Sequence, residues 1–408
     1  MGKNIKKGSM NILNKRFNSL LIVFIVLYTP KLLADISHYK EILVGDRGAN
    51  MGAAYSAVAD DASGAYHNPA GLTLGSKESM ISITNATNFV YNETREAVGD
   101  EMEMEEGWRY LITFVGYAKR VDNSVFEISY VVDDSTEVHQ DQFFDNNLII
   151  NRRGDDRTYK YGPTWAYKFS DKFSWGVTLY AVQREYFLQT NRLNNTGDSS
   201  SDWSYENNRG ADFGYQFRTG CMWSVSEDMS LALVLKKTNF LYTYNEYQTD
   251  EKTSGSSIIN HTLTKTSNDF RATPLEMTVG FAWFASAYTL IAADFDYYLI
   301  DDDDKVNVLN VSAGIEYYIN EKNVLRGGIY TNNDNDKTPS SSTTGIDKID
   351  MVGVTAGYSL FNGPTMITAG AVLSYGVGKT QKDPVNPSAI QEFARETYSF
   401  SISVSYNK

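Results

Sequence analysis

The chain has 408 residues, a net charge of −13 and a mean hydropathy of −0.36, and aromatic residues make up 13% of it. A polytopic helical membrane protein is excluded, because such a protein needs several apolar runs of about 20 residues and this chain has one long apolar run, at its N-terminus. The acidic balance, with no basic patch that contains aromatic residues, argues against nucleic acid as a partner.

Residues 1–34 are predicted to be a secretory signal peptide. Basic residues precede an apolar stretch from Leu20 to Tyr28, and Leu32-Leu33-Ala34 is a suitable cleavage site. Cleavage at this site would leave a mature N-terminus near Asp35. An uncleaved membrane anchor is the alternative interpretation of the same residues.

The segment 43–75 combines small residues with a fixed turn. It reads LVGDRGANMGAAYSAVADDASGAYHNPAGLTLG, and its glycine, alanine and serine residues are small enough to thread a crowded interior. The side chain of Asn68 can bond its own backbone and Pro69 presets φ, so the pair favours a turn. Asp60 and Asp61 can accept hydrogen bonds or pair with interior cations.

The same segment resembles the N-terminal signature of the FadL/TodX family of outer-membrane transport proteins. The residues that carry the resemblance are Gly45, Gly48, Gly52, the run Ala57 to Asp61 and Asn68-Pro69-Ala70-Gly71, followed later by Pro274-Leu275-Glu276 and Gly314-Ile315-Glu316-Tyr317. The resemblance implies an all-β fold, a 14-stranded antiparallel transmembrane β-barrel over residues 78–408. Residues 35–77 would fold into the lumen of this barrel as an N-terminal hatch.

The resemblance also implies a function. Members of this family take up hydrophobic compounds, and the ligand leaves sideways into the membrane through a gap in the barrel wall. A segment that only keeps the barrel folded and closed is the alternative role, and the two roles are compatible. The predicted hatch or gating residues are Asp60, Asp61, Asn68, Pro69, Ala70 and Gly71.

Beyond the hatch, apolar and polar residues alternate with a period of two, which is typical of strands. In the last segment Tyr398, Phe400, Ile402, Val404 and Tyr406 alternate with serines, so one face is apolar and the other is small and polar. In a transmembrane barrel the apolar face lies outward against lipid, and the number of strands is even. The fourteen predicted strands are 78–90, 108–120, 123–133, 157–169, 172–187, 210–226, 228–243, 269–284, 286–299, 304–318, 322–332, 348–361, 364–378 and 395–407.

The connections between the predicted strands alternate in length. Those after even-numbered strands are tight turns, whereas most of those after odd-numbered strands are long and polar. The predicted long connections are 91–107, 134–156, 188–209, 244–268, 333–347 and 379–394. This asymmetry is typical of outer-membrane barrels, which have short periplasmic turns and longer extracellular loops. It predicts that both termini are periplasmic.

Alternation also places charged side chains on the inward faces. Glu316 and Arg326 come close to facing each other across the turn near 320, and Glu276 and Asp294 do the same across the turn near 285. One interpretation is a lattice of satisfied salt bridges that sets the barrel shape. The other is that an interior arginine binds the carboxylate head of an amphipathic ligand, because a guanidinium donates two parallel hydrogen bonds to a carboxylate. The candidate arginines are Arg184, Arg218 and Arg326. The predicted ligand-binding or lumen charge network is Arg184, Arg218, Lys236, Glu276, Asp294, Glu316 and Arg326.

The leading hypothesis is a passive outer-membrane channel for long-chain fatty acids or other small hydrophobic molecules. The sequence carries no catalytic motif, cofactor fingerprint or metal-ligand spacing, so we expect no enzyme activity, cofactor or metal. The expected partners are outer-membrane lipids, a hydrophobic ligand and, during biogenesis, the export and barrel-assembly machinery, and the chain is expected to be a monomer. The alternative is a non-transport barrel, a surface antigen or adhesin, that docks secreted or surface proteins through its outer loops.

Overall fold

A computed structural model of the chain describes residues 37–75, 78–94, 102–103, 107–143, 148–195, 201–252, 259–267, 273–303, 305–340, 347–380 and 390–408. The predicted signal peptide, residues 1–34, lies outside the described residues. No helix in the described ranges is long and apolar enough to cross a membrane.

The strands form one antiparallel sheet that closes on itself. The strands are β1 Ser79–Thr94, β2 Met102–Glu103, β3 Gly107–Val121, β4 Ser124–Phe143, β5 Leu148–Ser170, β6 Phe173–Asn195, β7 Ser201–Ser224, β8 Met229–Lys252, β9 Ile259–Ser267, β10 Leu275–Ser286, β11 Thr289–Leu299, β12 Val308–Asn320, β13 Asn323–Asn332, β14 Asp347–Asn362, β15 Thr365–Thr380 and β16 Gln391–Asn407. β16 pairs with β1 and β8 pairs with β10, which closes the ring. β2 and β9 pair with a single neighbour each, outside the ring, so the predicted 14-stranded barrel is confirmed.

The burial of alternate residues is the reverse of that in a soluble sheet. In β16 the side chains of Phe400 and Ile402 are 51% and 57% exposed, whereas Ser403 and Ser405 are each 2% exposed. A water-exposed surface rarely carries a continuous apolar band. An apolar exterior around a polar interior is the arrangement of a barrel that lies in lipid.

The two ends of the barrel differ in how the strands are joined. At one end, called the turn end below, short turns join β3 to β4, β5 to β6, β7 to β8, β10 to β11, β12 to β13 and β14 to β15. At the opposite end, the loop end, three of the predicted long loops are largely absent. Residues 134–156, 188–209 and 244–268 mostly continue β4 to β8 or form β9, so their assignment to loops was wrong. The ladder persists there without the apolar alternation that lipid imposes within the membrane.

Residues 37–75, called the N-terminal segment below, fill the barrel interior. They contain two short helices, α1 Asp46–Asn50 and α2 Gly64–His67, and a 3-10 turn, Pro69–Thr73. Tyr55 and Leu72 are fully buried and belong to apolar clusters that include Met222 of β7 and Phe114 of β3. The inward side chains of the strands thus form a core with the N-terminal segment rather than with each other.

Close approach of the N-terminal segment depends on small residues of the wall. A Cβ added to Gly328 of β13 would collide with the backbone of Met51 and Gly52, whereas one added to the neighbouring Gly327, on the other face, would come no closer than 3.7 Å, to the carbonyl oxygen of Thr355. Backbone atoms cannot move aside as a flexible side chain can. Overpacking of this kind typically costs 1–3 kcal/mol.

We therefore expect Gly328→Ala to lower the free energy of unfolding by about 2 kcal/mol and Gly327→Ala to leave it nearly unchanged. The measurement is the urea midpoint of the protein refolded in lipid vesicles, followed by tryptophan fluorescence. Equal midpoints for the two variants would show that the N-terminal segment does not press against β13.

Candidate functional site

A buried ion network ties the N-terminal segment to β12 and β13. The carboxylate of Glu316, 1% exposed, accepts hydrogen bonds from Arg47 Nε and Nη2, both at 3.0 Å, and from Arg326 Nε. Arg47 also pairs with Asp60, and Arg326 donates to Ser359. Glu316 and Arg326 face each other as predicted, because the tight turn between their strands fixes the register. Arg47 was not among the predicted site residues, although it stands between Gly45 and Gly48 in the N-terminal signature.

The predicted pairing of Glu276 with Asp294 was wrong. The turn between β10 and β11 lies at residues 287–288, about two residues beyond its expected centre, so Asp294 is opposite Gly280 and Glu276 is opposite Tyr298. The Asp294 carboxylate instead accepts hydrogen bonds from the backbone N–H groups of Tyr55 (3.0 Å) and Ser56 (2.9 Å). Asp294 therefore anchors the N-terminal segment.

Two cations satisfy the remaining acidic groups of this region. Glu276 pairs with Lys236 Nζ at 2.7 Å, and Asp296, two residues from Asp294, pairs with Lys40 Nζ at 2.7 Å. Lys40 comes from the N-terminal segment, so both that segment and the wall supply positive charge. Most of the predicted interior charges therefore form salt bridges, either with each other or with the N-terminal segment, as the lattice interpretation expects.

The predicted hatch residues lie in a tightly bonded turn. Asn68 Oδ1 accepts a hydrogen bond from the N–H of Ala70 at 3.1 Å, and its Nδ2 donates to the carbonyl oxygens of Ser56 (2.9 Å) and Cys221 (3.3 Å). Pro69 begins the 3-10 turn, which includes Ala70 and Gly71. The turn is thereby joined both to the N-terminal segment itself and to β7.

Asp60 and Asp61 have different partners. Asp60 pairs with Arg47, as described above, whereas Asp61 accepts hydrogen bonds from the N–H and the hydroxyl of Ser63 at 2.8 and 2.6 Å. Burial and the neighbouring Asp46 raise the pKa of Asp61 to about 6. Of the two, Asp60 belongs to the ion network and Asp61 shapes the start of α2.

A cavity of about 100 Å³ lies between the N-terminal segment and the wall formed by β4 to β8 and β10. Val182, Phe240 and Pro274 supply apolar lining, and Tyr39 and Tyr66 reach it from the N-terminal segment. Its charged and other polar lining residues are His38, Glu41, Asp133, Asp134, Thr158, Lys160, Arg184, Gln216, Arg218, Lys236, Thr238, Thr273 and Glu276. Among the residues described, no group of three or more His, Cys, Asp or Glu is placed to hold a metal ion.

The three candidate arginines differ in whether their charge is already neutralised. Arg184, beside the cavity, pairs with Asp156 and with Asp212 (3.3 Å). Arg326 is bound to Glu316, outside the cavity lining. Arg218 also lines the cavity, and its contacts differ from those of the other two arginines.

Arg218 is buried without a carboxylate partner. It is 1% exposed, and in the described part of the chain no carboxylate oxygen lies within 4.0 Å of its nitrogens. Nη2 donates to Gln216 Oε1 at 3.0 Å, whereas Nε and Nη1 have no hydrogen-bond partner among the described residues. The guanidinium stacks on Tyr66, 4.3 Å from the ring centre. A buried guanidinium with unused donors can bind an anionic group that enters the cavity.

The barrel wall is incomplete between β3 and β4. Their ladder has eight residue pairs and ends at Phe114 and Val131, although β3 continues to Gly107 along β1 and β4 continues to Phe143 along β5. A β-bulge interrupts β4 between Val132 and Asp134. Bulges bend a strand and re-aim its side chains. The wall is therefore split between β3 and β4 toward the loop end, next to Asp133 and Asp134 of the cavity.

An apolar cluster fills this split. Val132, on the outer face of β4, is 1% exposed because Leu111 of β3 and Ile42 of the N-terminal segment cover it. Tyr130 and Tyr159 pack against the same cluster and stack on each other, with ring centres 6.3 Å apart. The split is closed by side chains rather than by backbone hydrogen bonds.

Comparison with known proteins places the fold. No protein-family model and no curated protein sequence matches the chain. Among solved structures, the toluene transporter TodX of P. putida aligns with a TM-score of 0.69 at 13% identity, over 90% of this chain and 98% of TodX. A FadL homologue of Pseudomonas aeruginosa gives 0.61 at 12% identity, over 93% and 100%, and the toluene transporter TbuX of Ralstonia pickettii gives 0.58 at 12%, over 89% and 98%. At such identities the likeness concerns the fold, and the chain has the barrel fold of the FadL/TodX proteins, as its N-terminal signature predicted.

Proposed function

We propose that the chain is an outer-membrane channel for the passive uptake of small hydrophobic molecules. The observation that carries this proposal is an internal cavity that adjoins a break in the wall of a barrel with an apolar exterior. The solved barrels of the same fold support it, since their names describe toluene transporters, a monoaromatic hydrocarbon channel and a FadL homologue. In this proposal the turn end and both termini are periplasmic, and the chain acts as a monomer without enzymatic activity.

Long-chain fatty acids, or other amphipathic molecules with one acidic head group, are the ligand class that we propose. Arg218 supports this choice, because it is the candidate arginine without a carboxylate partner in the described chain and two of its nitrogens are unsatisfied. A buried charge without a counterion is costly. A ligand carboxylate would remove that cost, whereas a neutral hydrocarbon would not.

The N-terminal segment would act as the hatch. The cavity of about 100 Å³ is smaller than the 300–1,000 Å³ of usual ligand pockets, so a long tail fits only after side chains of that segment move. Tyr39, Tyr66 and Ile42 are the groups in the way. The bonded turn at Asn68-Pro69-Ala70-Gly71 and the Asp60–Arg47 pair would hold the remainder of the segment in place.

The split between β3 and β4 would be the sideways exit to the membrane. The side chains that fill the split, Leu111, Val132 and Ile42, are apolar, and they would have to move apart for a ligand to pass. A hydrophobic molecule that leaves by this route passes from the split into lipid without entering bulk water, and exposure of its apolar surface to water would be unfavourable.

The direct test is mass spectrometry of organic extracts of the gently solubilised protein, with an unrelated barrel as control. We expect a discrete hydrophobic or amphipathic species in near-stoichiometric amount, and faster uptake of the same compound by cells that carry the protein. An extract identical to that of the control, together with unchanged uptake, would overturn the proposal and favour the alternative of a barrel that docks surface proteins.

A further inference from the structure

Beyond the β-bulge, β4 stays paired with β5 but packs against the inner face of β3. Arg109 and Leu111 belong to the inner face of β3, since they are buried and alternate with Tyr110 and Ile112, which are 66% and 45% exposed. Yet Leu111 packs against Val132, a residue of the outer face of β4. The loop-end parts of β4 and β5 therefore pack against the inner face of β3. Residues 132–143 of β4 and 148–159 of β5 are called the flap below, and residues 107–113 of β3 are called the frame.

A charged contact crosses this overlap. Arg109 Nη2 donates to Asp155 Oδ1 of β5 at 2.7 Å, with the side chains 7% and 22% exposed. β4 lies between these two strands in the order of the sheet. On the loop-end side of Phe114, no backbone ladder pair joins β3 to β4 in the described ranges. The Arg109–Asp155 ion pair therefore connects the frame to the flap where backbone hydrogen bonds do not.

Asp155 has a second partner on its own strand. Arg157, 39% exposed, donates to the same carboxylate from Nε at 2.9 Å and from Nη2 at 2.7 Å. If Arg109 moves away, Asp155 keeps a bidentate ion pair, so separating the flap does not leave its carboxylate uncompensated. Breaking a buried pair is costly mainly when one charge is left alone. Release leaves the other charge, that of the buried Arg109, without a carboxylate partner in the described chain, and this cost favours the closed contact.

We propose that the Arg109–Asp155 ion pair is a latch that holds the split between β3 and β4 closed. The inference rests on the proposed sideways exit, but it concerns the conformation of the wall and can be measured without any ligand. Loss of the pair frees the flap, and the cluster of Ile42, Leu111 and Val132 then separates.

The test measures access to the cluster. Leu111→Cys is introduced in a Cys221→Ser background, and the rate of modification by N-ethylmaleimide is followed by mass spectrometry in detergent and in lipid vesicles. We expect Asp155→Asn and Arg109→Gln each to raise this rate about tenfold or more, which corresponds to a shift of about 1.4 kcal/mol in the opening equilibrium. The matched control is Arg157→Gln, which removes the other positive charge that pairs with Asp155 but leaves the Arg109–Asp155 ion pair in place.

A rescue variant separates the latch from general loss of structure. Arg109→Asp combined with Asp155→Arg restores an ion pair of opposite polarity and should return the modification rate toward that of the parent, while either change alone accelerates it. Rates in Asp155→Asn and Arg109→Gln that equal the parent rate would overturn the latch. Faster modification without any change in hydrophobic uptake would keep the latch and instead count against the proposed function.

Discussion

Replacing Glu316 by glutamine is expected to release the N-terminal segment from the barrel wall. The Glu316 carboxylate neutralises two buried guanidinium groups, of Arg47 and Arg326. The amide of glutamine would leave Arg326 without a carboxylate partner among the described residues and Arg47 with Asp60 alone. Removing one partner of a buried ion pair typically costs 3–5 kcal/mol. This is the largest effect on stability that we expect from one substitution.

Limited trypsin digestion of the folded protein measures this effect. In the parent, cleavage after Lys40 and Arg47 should be slow, because both residues are held inside the barrel. In Glu316→Gln we expect rapid cleavage at these sites while the strands stay protected. The control is Glu321→Gln in the exposed turn that follows β12. Slow cleavage in both variants would mean that the ion network does not hold the segment.

Replacing Arg218 by glutamine is expected to abolish the preference for acidic ligands. The affinity for a long-chain fatty acid should fall about tenfold or more, since hydrogen bonds to charged groups contribute about 1.5–3 kcal/mol each. The affinity for the methyl ester of the same acid should change little, because the ester carries no charge. Arg218→Lys retains the charge and should keep part of the preference.

Titration of the purified variants with both ligands, followed by calorimetry, separates the possible roles of Arg218. A selective loss of acid binding supports a head-group site. Equal loss of acid and ester binding would assign Arg218 to packing against Tyr66. No loss of either would place the head group elsewhere in the barrel.

The strands were predictable from the sequence wherever lipid faces them. In β16 the environment outside the barrel demands apolar residues and the interior demands small polar ones, so alternation marks both the strand and its two faces. Beyond the membrane this demand ends. The loop-end halves of β6 and β7 are joined by the same ladder without the apolar pattern, so their extent was underestimated.

The site was predictable only where the contacts are local. Glu316 and Arg326 lie across a tight turn, and short turns fix the register. The partner of Asp294 depended on a turn whose position was misjudged by about two residues, and a small shift in a turn changes every pairing along the strand. The contacts of Arg47, Lys40 and Arg109 join residues far apart in sequence, which no periodicity reveals.

The unequal strand lengths determine from which direction a molecule can reach the barrel. β7 and β8 have 24 residues each, whereas β11 and β13 have 11 and 10. Since each of these strands has one end at the turn end and strands tilt by about 40°, the wall on one side rises roughly 30 Å higher than on the other. The rim of the described strands is thus cut obliquely, and it is lowest along β10 to β13. In the proposed channel, a ligand that approaches over β10 to β13 would therefore meet a lower wall than one that approaches over β7 and β8.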